Sequence, residues 1–442
     1  MIAEIIGIIV FALLILGSIA LHEVGHLVPA KIFGVKVTEY MIGFGPKIWS
    51  KVKGETTYGL KAIPVGGYIR MIGMLPPPAD APPGTATRAS TGRFATMIAD
   101  ARQQSLEEIA PGDEDRVFYR RATWKRVIIM LGGPTMNLIL AFVLFAIVLC
   151  GIGLPTPTTA VSAVVPCTPT ISAPTGDALA DGSCPTGSVP SPAAQANLQP
   201  GETLLAIDGT PVTSWDQATT LIRAMPAGSA VLTVGLVEGG VRDVPVEVTQ
   251  VTRPVYDANG KPTGVTEKTG FLGIRPASDF VPQSFATVPA QMWDMTTASV
   301  KALISLPVRL YELVANTLIG GQDRAVDGPV SVVGVTRIGG DIAASDQPLK
   351  AKMAIFLSLA ASLNLFLFLF NLIPVLPLDG GHVAGAVYES IKRRIAKMRG
   401  KPDPGPADVA KLLPVAYVVA ASLVVMGAIV IFADIVKPIS LG

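Results

Sequence analysis

The stretch that decides the fold joins an apolar run to a candidate metal-binding motif. Ile5-Ile-Gly-Ile-Ile-Val-Phe-Ala-Leu-Leu-Ile-Leu-Gly-Ser-Ile-Ala-Leu21 leads directly into His22-Glu-Val-Gly-His26. Its 17 uncharged residues approach the about 20 helical residues that cross a membrane. A signal peptide is the alternative, but no Lys or Arg precedes Lys31, so the basic segment of a signal peptide is missing. We therefore predict a retained transmembrane helix over residues 1–30.

Three further uncharged runs indicate a multi-pass membrane protein. Half of the 442 residues are hydrophobic and 15% are charged, against roughly 25% in soluble domains. The runs predict transmembrane helices over 126–155, 351–378 and 412–436, so we expect a fold of four transmembrane α-helices in a lipid bilayer. The net charge of +2 without a basic block argues against a nucleic-acid partner.

The charges of the connecting loops predict the orientation. Residues 31–126 hold 15 Lys and Arg against 9 Asp and Glu, and residues 379–411 hold 7 against 4. Residues 154–350 hold 11 against 17. Because basic loops stay on the cytoplasmic side, we predict a plasma-membrane protein with both termini and the long loop outside.

The long loop contains a predicted small domain over residues 158–276. Short β-branched runs alternate with a Pro-Gly turn at 200–201, an Asp-Gly turn at 208–209 and a helical segment from Trp215 to Met225. This order resembles a PDZ domain, a fold of class α+β that binds extended peptides by strand addition. An unrelated small β domain is the alternative. The domain would be inserted between helices 2 and 3.

The remaining segments connect these parts. Residues 31–74 include an alternating apolar stretch around Gly66-Gly67-Tyr68, which predicts a cytoplasmic β-hairpin at the membrane face. Residues 75–125 are rich in proline and carry an acidic cluster, which predicts a mobile cytoplasmic linker. Residues 277–350 are expected to be membrane-proximal outside, without an assigned packing.

His22 and His26 are predicted zinc ligands. On a helix, residues i and i+4 share a face, so both imidazoles can reach one ion. Two histidines plus one carboxylate are a typical catalytic zinc set, which leaves one position for water. Glu23 is the predicted general base, which would accept a proton from water and pass it to the leaving amine.

The third ligand is expected where the third run ends. Pro374 and Pro377 must break that helix, and Asp379 is the acidic residue beside the break. We predict Asp379 as the ligand. We also predict a basic cytoplasmic loop over 379–411, which begins at this residue. An aspartate that caps the next helix is the alternative for Asp379, and His382 is the alternative ligand.

Cys167 and Cys184 lie 17 positions apart in the outside loop. An oxidising compartment permits a disulfide between them. Two free thiols are the alternative.

These motifs together resemble the site-2 protease family of intramembrane zinc metallopeptidases. The resemblance rests on the motif at 22–26 and on the Asn-x-x-Pro-x-x-Pro-x-Asp-Gly-Gly segment at 371–381. The Gly-Gly-Pro-Thr-Met-Asn segment at 132–137, the hairpin and Gly-Pro-Val-Ser at 328–331 add to it. Four spans with one PDZ domain look most like the actinobacterial members.

The resemblance implies regulated intramembrane proteolysis. Such enzymes cut the membrane helix of a single-pass protein, often an anti-sigma factor already trimmed by another protease. A helical peptide bond is shielded, so the substrate must unwind, and an edge of the hairpin at Gly66, Gly67 and Tyr68 could hold it extended. Asn364 and Asn371 share one face of the third helix and are candidate hydrogen-bond donors to it. Bonds between helices are the alternative for both asparagines.

Two other functions would use the same features. A membrane scaffold would gather partners through the PDZ domain and would have an inactive site. A zinc transporter would use the same ligands, although a general base has no role in transport.

Overall fold

The structure, a computed structural model, describes residues 2–77, 93–170, 175–179, 181–256, 262–322, 324–325 and 328–438. The chain forms two compact units. The first comprises Met1–Gly151 and Ser284–Gly442, and the second comprises Ile152–Gln283.

The first unit is mainly helical. Its elements, in chain order, are α1 (Ile2–Ile32), β1 (Val37–Lys53), β2 (Thr56–Met71), α2 (Arg93–Glu107), α3 (Thr123–Ala146), α6 (Thr287–Glu312), α7 (Val332–Ala344), α8 (Leu349–Asn371), α9 (Asp379–Met398) and α10 (Leu413–Val436). Turns of π-helix extend α3 to Ile152 and α6 to Ile319.

The second unit contains most of the strands. Its elements are β3 (Leu154–Val164), α4 (Pro192–Gln195), β4 (Thr203–Ile207), β5 (Thr210–Pro211), α5 (Trp215–Ala224), β6 (Gly228–Gly235), β7 (Val241–Tyr256), β8 (Pro262–Phe271) and β9 (Ile274–Val281). The sheet has the order β8-β7-β6-β4-β3-β9, with β5 paired to β4. Alternate residues of β6 and β7 pack with Ile222 of α5 in its core. The expectation of a sheet-rich domain between the second and third predicted transmembrane helices, 126–155 and 351–378, is thus met in its coarse form.

Five helical segments of the described chain are long and apolar enough to cross a membrane. They are Ile2–Ile32, Thr123–Ile152, Thr287–Ile319, Leu349–Asn371 and Val409–Val436. Four of them correspond to the four predicted spans, which confirms a multi-pass membrane protein. The fifth, formed by α6 and its π-helical turn, lies in the region that the sequence left unassigned. Charged residues such as Lys301 and Arg309 interrupt its apolar pattern.

The predicted ends of two spans were too far along the chain. The second span stops at Ile152, because Gly153 takes a positive φ of 94° and the chain enters β3 at Leu154. The third stops at Asn371 rather than at 378. Its end precedes Pro374 and Pro377, neither of which can donate the backbone hydrogen bond of a continuing helix.

Within residues 31–74, where a β-hairpin was expected, β1 and β2 pair antiparallel. Both strands bend, so that the β1 segment 37–42 lies between two segments of β2. Residues 67–71 of β2 pair with it on one side and residues 57–60 pair with it on the other. The last part of β1 then pairs with the start of β2. Segment 67–71 is consequently an edge of this small sheet.

The prediction of a mobile linker over 75–125 was wrong for its second half, while its residues 78–92 lie outside the described chain. Residues 93–107 form α2, and Arg102 of that helix forms an ion pair with Asp408. Asp113, from the acidic cluster, forms an ion pair with Lys36, with Nζ and Oδ2 2.5 Å apart. Phe118 is buried beside α1 and α3. Specific ion pairs and burial therefore order a segment whose composition resembled that of a linker.

Candidate metal centre

Three predicted ligands, His22, His26 and Asp379, converge on one point. The Nε2 atoms of His22 and His26 lie 3.2 Å apart, and each lies 3.3 Å from Asp379 Oδ2. They form the one group of three or more potential metal ligands found among the described residues. α1 supplies both histidines, and the first residue of α9 supplies the carboxylate.

The three ligand atoms are spaced for a tetrahedral zinc ion. A Zn–N or Zn–O distance of about 2.0–2.1 Å places neighbouring tetrahedral ligands about 3.3 Å apart. The observed separations of 3.2 and 3.3 Å match this value. Asp379 Oδ2 is also buried and has no hydrogen-bond partner among the described residues. A buried carboxylate oxygen needs a partner, and a cation at the centre of this triangle supplies one.

Glycines bring α3 against this group of ligands. A Cβ atom at Gly133 would collide with His26 Nε2 and would lie 2.7 Å from His22 Nε2. Gly25 and Gly132 face each other where α1 and α3 meet, and a Cβ on either would collide with backbone atoms of the other. Only glycine permits such a close approach of two helix backbones. The backbone of α3 therefore forms one wall of the site.

The second nitrogen of each imidazole ring faces α3. His26 Nδ1 lies 2.8 Å from the carbonyl oxygen of Ile129, and His22 Nδ1 lies 3.1 Å from the side-chain amide of Asn137. A carbonyl oxygen only accepts hydrogen bonds, so His26 Nδ1 carries the proton and its Nε2 is left with a free lone pair. This is the protonation that a ring with Nε2 as a metal ligand requires.

The break after α8 delivers Asp379 to the histidines. Residues 372–378 form a turn that contains both prolines, and α9 then begins at Asp379. A Cβ at Gly380 would collide with the carbonyl oxygens of Leu372 and Ile373, so the turn folds closely over this position. Asp379 thus both opens a helix and points at the histidines. The N-terminus of α9 has no side-chain capping hydrogen bond, which argues against a capping role for Asp379.

Glu23 is buried beside the ligands, with 8% of its surface exposed. The backbone N–H of Ile69, in the edge segment of β2, faces its carboxylate. A Cβ at Gly67 would lie 2.9 Å from Glu23 Cγ. The same strand edge therefore contacts the predicted general base and provides space for its side chain.

The other predicted residues take different positions. His382 lies outside the ligand group and lines a small cavity with Arg126 and Glu389. Asn364 is fully buried, and its Nδ2 donates to Ser18 Oγ at 2.9 Å and to the Ala360 carbonyl. This geometry fits the interhelical bond that the sequence left open for Asn364.

Asn371, Gly66 and Tyr68 lie at the edges of the site. Asn371 is half-buried at the last residue of α8. Gly66 contacts the ring of Phe44.

The Tyr68 hydroxyl donates to Glu39 Oε2 at 2.8 Å and accepts from Lys61 Nζ at 2.7 Å. Burial alone would raise the pKa of Glu39, but the hydrogen bonds from Tyr68 and Lys47 lower it below its ordinary value. The Tyr68 side chain therefore stabilises the hairpin, whereas the backbone of its strand faces Glu23.

In the second unit, Cys167 and Cys184 form a disulfide with their Cα atoms 5.6 Å apart.

The sequence analysis assigned no role to Gly133 and Asn137. A usable signal was present: the two residues are four apart on α3, so they share a helix face. Which face meets the histidines depended on how α1 and α3 pack, and a single sequence does not contain that information.

This arrangement defines a metallopeptidase of the HExxH type on membrane helices, and the comparisons agree with it. The model of peptidase family M50 matches residues 10–402. Zinc metalloprotease Rip1 of Mycobacterium tuberculosis is 35% identical over 448 residues, which cover 98% of each chain. Rip1 of Mycolicibacterium smegmatis is 34% identical, and a putative zinc metalloprotease of Rhizobium meliloti is 26% identical over 87% of each chain.

The chain belongs to peptidase family M50. The predicted enzyme class, a zinc metallopeptidase that resembles the site-2 proteases, and the predicted cofactor, Zn2+, are thereby confirmed.

Proposed function

We propose that this protein is an intramembrane zinc protease that cuts the transmembrane helix of single-pass membrane proteins. One observation carries the proposal: His22, His26 and Asp379 converge to tetrahedral spacing where membrane-spanning helices meet. Ionisable groups at such depth are costly and are mostly functional. An inactive scaffold has no need of this geometry or of an intact Glu23.

Each residue has a distinct role in this proposal. His22, His26 and Asp379 hold zinc, which when bound makes water a stronger nucleophile and polarises the scissile carbonyl group. Glu23 accepts the proton of the attacking water and delivers it to the nitrogen of the leaving amine. Burial beside Gly67 keeps its carboxylate away from bulk water. The Ile69 N–H faces this carboxylate and favours its charged form.

The edge of the hairpin sheet is the proposed docking position for the unwound substrate. Residues 67–71 of β2 pair on one side with β1, and the described sheet register adds no strand on the other. A substrate strand paired there would place its backbone next to Glu23, because Ile69 and Gly67 already contact this side chain. Strand addition holds any sequence through its backbone. Asn371, at the end of α8, is a candidate donor to the same strand.

The connections of the first unit support the predicted topology. α3 leaves the metal centre and ends at Ile152, whereas α8 starts at Leu349 and ends near the metal centre. The intervening residues therefore begin and end on the side opposite the metal centre.

The segment that follows α6 lies on that side as well. Arg324 and Ser331, which follow α6, contact Asp434 near the end of α10. We infer that α6 does not complete a crossing and that four helices span the membrane. Both termini and the second unit are then extracytoplasmic.

We further propose that the second unit is a PDZ domain that acts on substrates outside the membrane. It either recruits the new end of a substrate trimmed by another protease, or excludes a bulky untrimmed ectodomain. Anti-sigma factors of the single-pass type are the proposed substrate class, on the strength of the family resemblance. Substrates of graded ectodomain length separate the two roles, since only exclusion makes cleavage fall with ectodomain size when no free end is offered.

The test is cleavage by the purified full chain of a panel of single-span helices with short ectodomains. Glu23→Gln keeps the side-chain volume and removes the base, so we expect zinc to stay bound and cleavage to fall by at least about a hundredfold, within the range for general-base loss. Glu4→Gln, the same change at the far end of α1, is the matched control and should cut normally. Retained cleavage by Glu23→Gln would refute the proposal.

A further inference from the structure

Asn137 is a buried residue that the proposed mechanism does not use. It lies one helical turn after Gly133 on α3, and only 1% of its surface is exposed. As placed, its Nδ2 lies 3.1 Å from His22 Nδ1, and its Oδ1 has no hydrogen-bond partner among the described residues. A buried amide oxygen without a partner costs about 1–3 kcal/mol, so this orientation needs an explanation.

The chemistry of His22 decides which amide atom faces the ring. If Nδ2 donates to Nδ1, then the neutral ring must carry its proton on Nε2, and that nitrogen has no lone pair for a metal. If Oδ1 faces the ring, Nδ1 carries the proton and Nε2 is free. The nitrogen and oxygen of an amide side chain have almost the same shape, so they can be exchanged by a half-turn without moving other atoms. The exchange gives Oδ1 a partner and leaves Nδ2 in the unpartnered position, so the protonation that zinc requires of His22 is what selects this orientation.

We propose that Asn137 is a positioning residue for the metal centre: its Oδ1 accepts a hydrogen bond from His22 Nδ1–H and thereby holds His22 Nε2 toward the zinc ion. The inference rests on the zinc site of the proposed function and adds a residue to it. Asn137 itself contacts neither the metal nor the substrate.

The second histidine shows the same arrangement with a backbone acceptor. His26 Nδ1 lies 2.8 Å from the carbonyl oxygen of Ile129, which also belongs to α3. Ile129 and Asn137 are eight residues apart, or about 12 Å along the helix, and the pair fixes the two rings of α1 from one neighbouring helix. Metal-bound histidines almost always donate their other N–H to a carbonyl, carboxylate or water. Asn137 gives His22 such an acceptor inside the membrane.

The experiment measures Zn2+ affinity by chelator competition on the purified full chain, with cleavage left out of the readout. Asn137→Leu keeps the shape and removes the acceptor, and we expect its affinity to fall about 10–100-fold. Asn137→Asp keeps an acceptor and has no donor, so its affinity should stay within about threefold of wild type or exceed it. Asn364→Leu, at an equally buried asparagine on α8 that is bonded to Ser18, should bind Zn2+ as the wild type does.

The pattern across the variants decides the inference. Wild-type affinity in Asn137→Leu would overturn it, and so would an affinity in Asn137→Asp as weak as in Asn137→Leu, because then the amide donates. A loss of affinity in Asn364→Leu equal to that in Asn137→Leu would also overturn it, because general loosening would explain both. Substitution with Co2+ adds a check, since we expect the absorption bands of its ligand field to change in Asn137→Leu and to stay in Asn364→Leu.

These outcomes are separable from a failure of the proposed function. If wild-type protein bound no Zn2+ at His22 and His26, the proposed function would fail before any variant was compared. If the wild type bound Zn2+ tightly and cut no substrate, the positioning role of Asn137 would still be tested by affinity alone.

Discussion

The tightest contact of the metal centre predicts the effect of a single added methyl group. In Gly133→Ala, the new Cβ would lie 2.7 Å from His22 Nε2 and would collide with His26 Nε2. An ordinary carbon–nitrogen contact is at least about 3.4 Å, so one ring or the α3 backbone must move by about 0.7 Å or more. Metal sites tolerate ligand displacements of about 0.2 Å. The required movement is several times this tolerance.

We therefore expect Gly133→Ala to weaken Zn2+ binding by more than about a hundredfold, beyond the 10–100-fold effect of losing an outer hydrogen bond. The assay is Zn2+ content after dialysis against graded chelator, combined with thermal unfolding in detergent. Gly17→Ala is the matched control, because Gly17 lies within α1 and a Cβ there meets nothing within 4 Å.

Helix propensity predicts that Gly17→Ala stabilises the protein by up to about 1 kcal/mol, with unchanged Zn2+ affinity. Normal Zn2+ binding by folded Gly133→Ala would refute the reasoning, since it would show that the site has space which the geometry denies.

Two further predictions concern ion pairs of the first unit. The Glu389 side chain is 1% exposed, and its Oε1 lies 2.6 Å from Arg126 Nη2. Glu389→Leu would leave the buried Arg126 charge unpaired and should lower the free energy of unfolding in a denaturation assay by about 3–5 kcal/mol. Arg393→Met removes a more exposed partner of Glu389 and should lower it by under about 1 kcal/mol; equal losses would contradict the assignment. The hydrogen bond from Lys36 lowers the pKa of Asp113 in the folded protein. This pair therefore stabilises the fold above the unfolded pKa of about 3.9, and the stabilisation is lost as the pH falls through the lower folded pKa. Lys36→Met should be less stable than wild type at pH 7 and approach its stability near pH 3, whereas a stability difference independent of pH would argue against the pair.

The sequence was most informative where one residue's chemistry is sufficient. Two histidines four apart on one helix must share a face, and two prolines must end a helix, so the ligands could be predicted from α1 and the end of α8. It was least informative for the predicted linker, whose composition gave no indication that Asp113 and Arg102 form ion pairs. Their ion pairs join them to Lys36 and Asp408, 77 and 306 residues away in the chain. A composition-based argument does not contain such distant partners.

The long apolar helix α6, which the sequence analysis did not predict, shows a related limit. Its apolar residues are interrupted by charges, and a rule based on uncharged runs passes over it. Under the proposed topology, in which α6 does not cross, a count of such helices exceeds the number of crossings. The segments that follow α6 contact the end of α10 through Arg324 and Asp434, an ion pair whose side chains are both 2% exposed. Connectivity at both ends, rather than length and composition, decides whether a helix crosses.

The metal centre depends on α3 although that helix supplies no ligand. Gly25 and Gly132 allow α1 and α3 to touch backbone to backbone, and this brings Gly133 and the Ile129 carbonyl within reach of the imidazole rings. A larger residue at either glycine would move the rings away from their hydrogen-bond acceptors as well as from α3. Close packing and ligand orientation therefore have the same structural cause. For this reason we expect substitutions along this face of α3 to change metal affinity before they change the stability of the remaining fold.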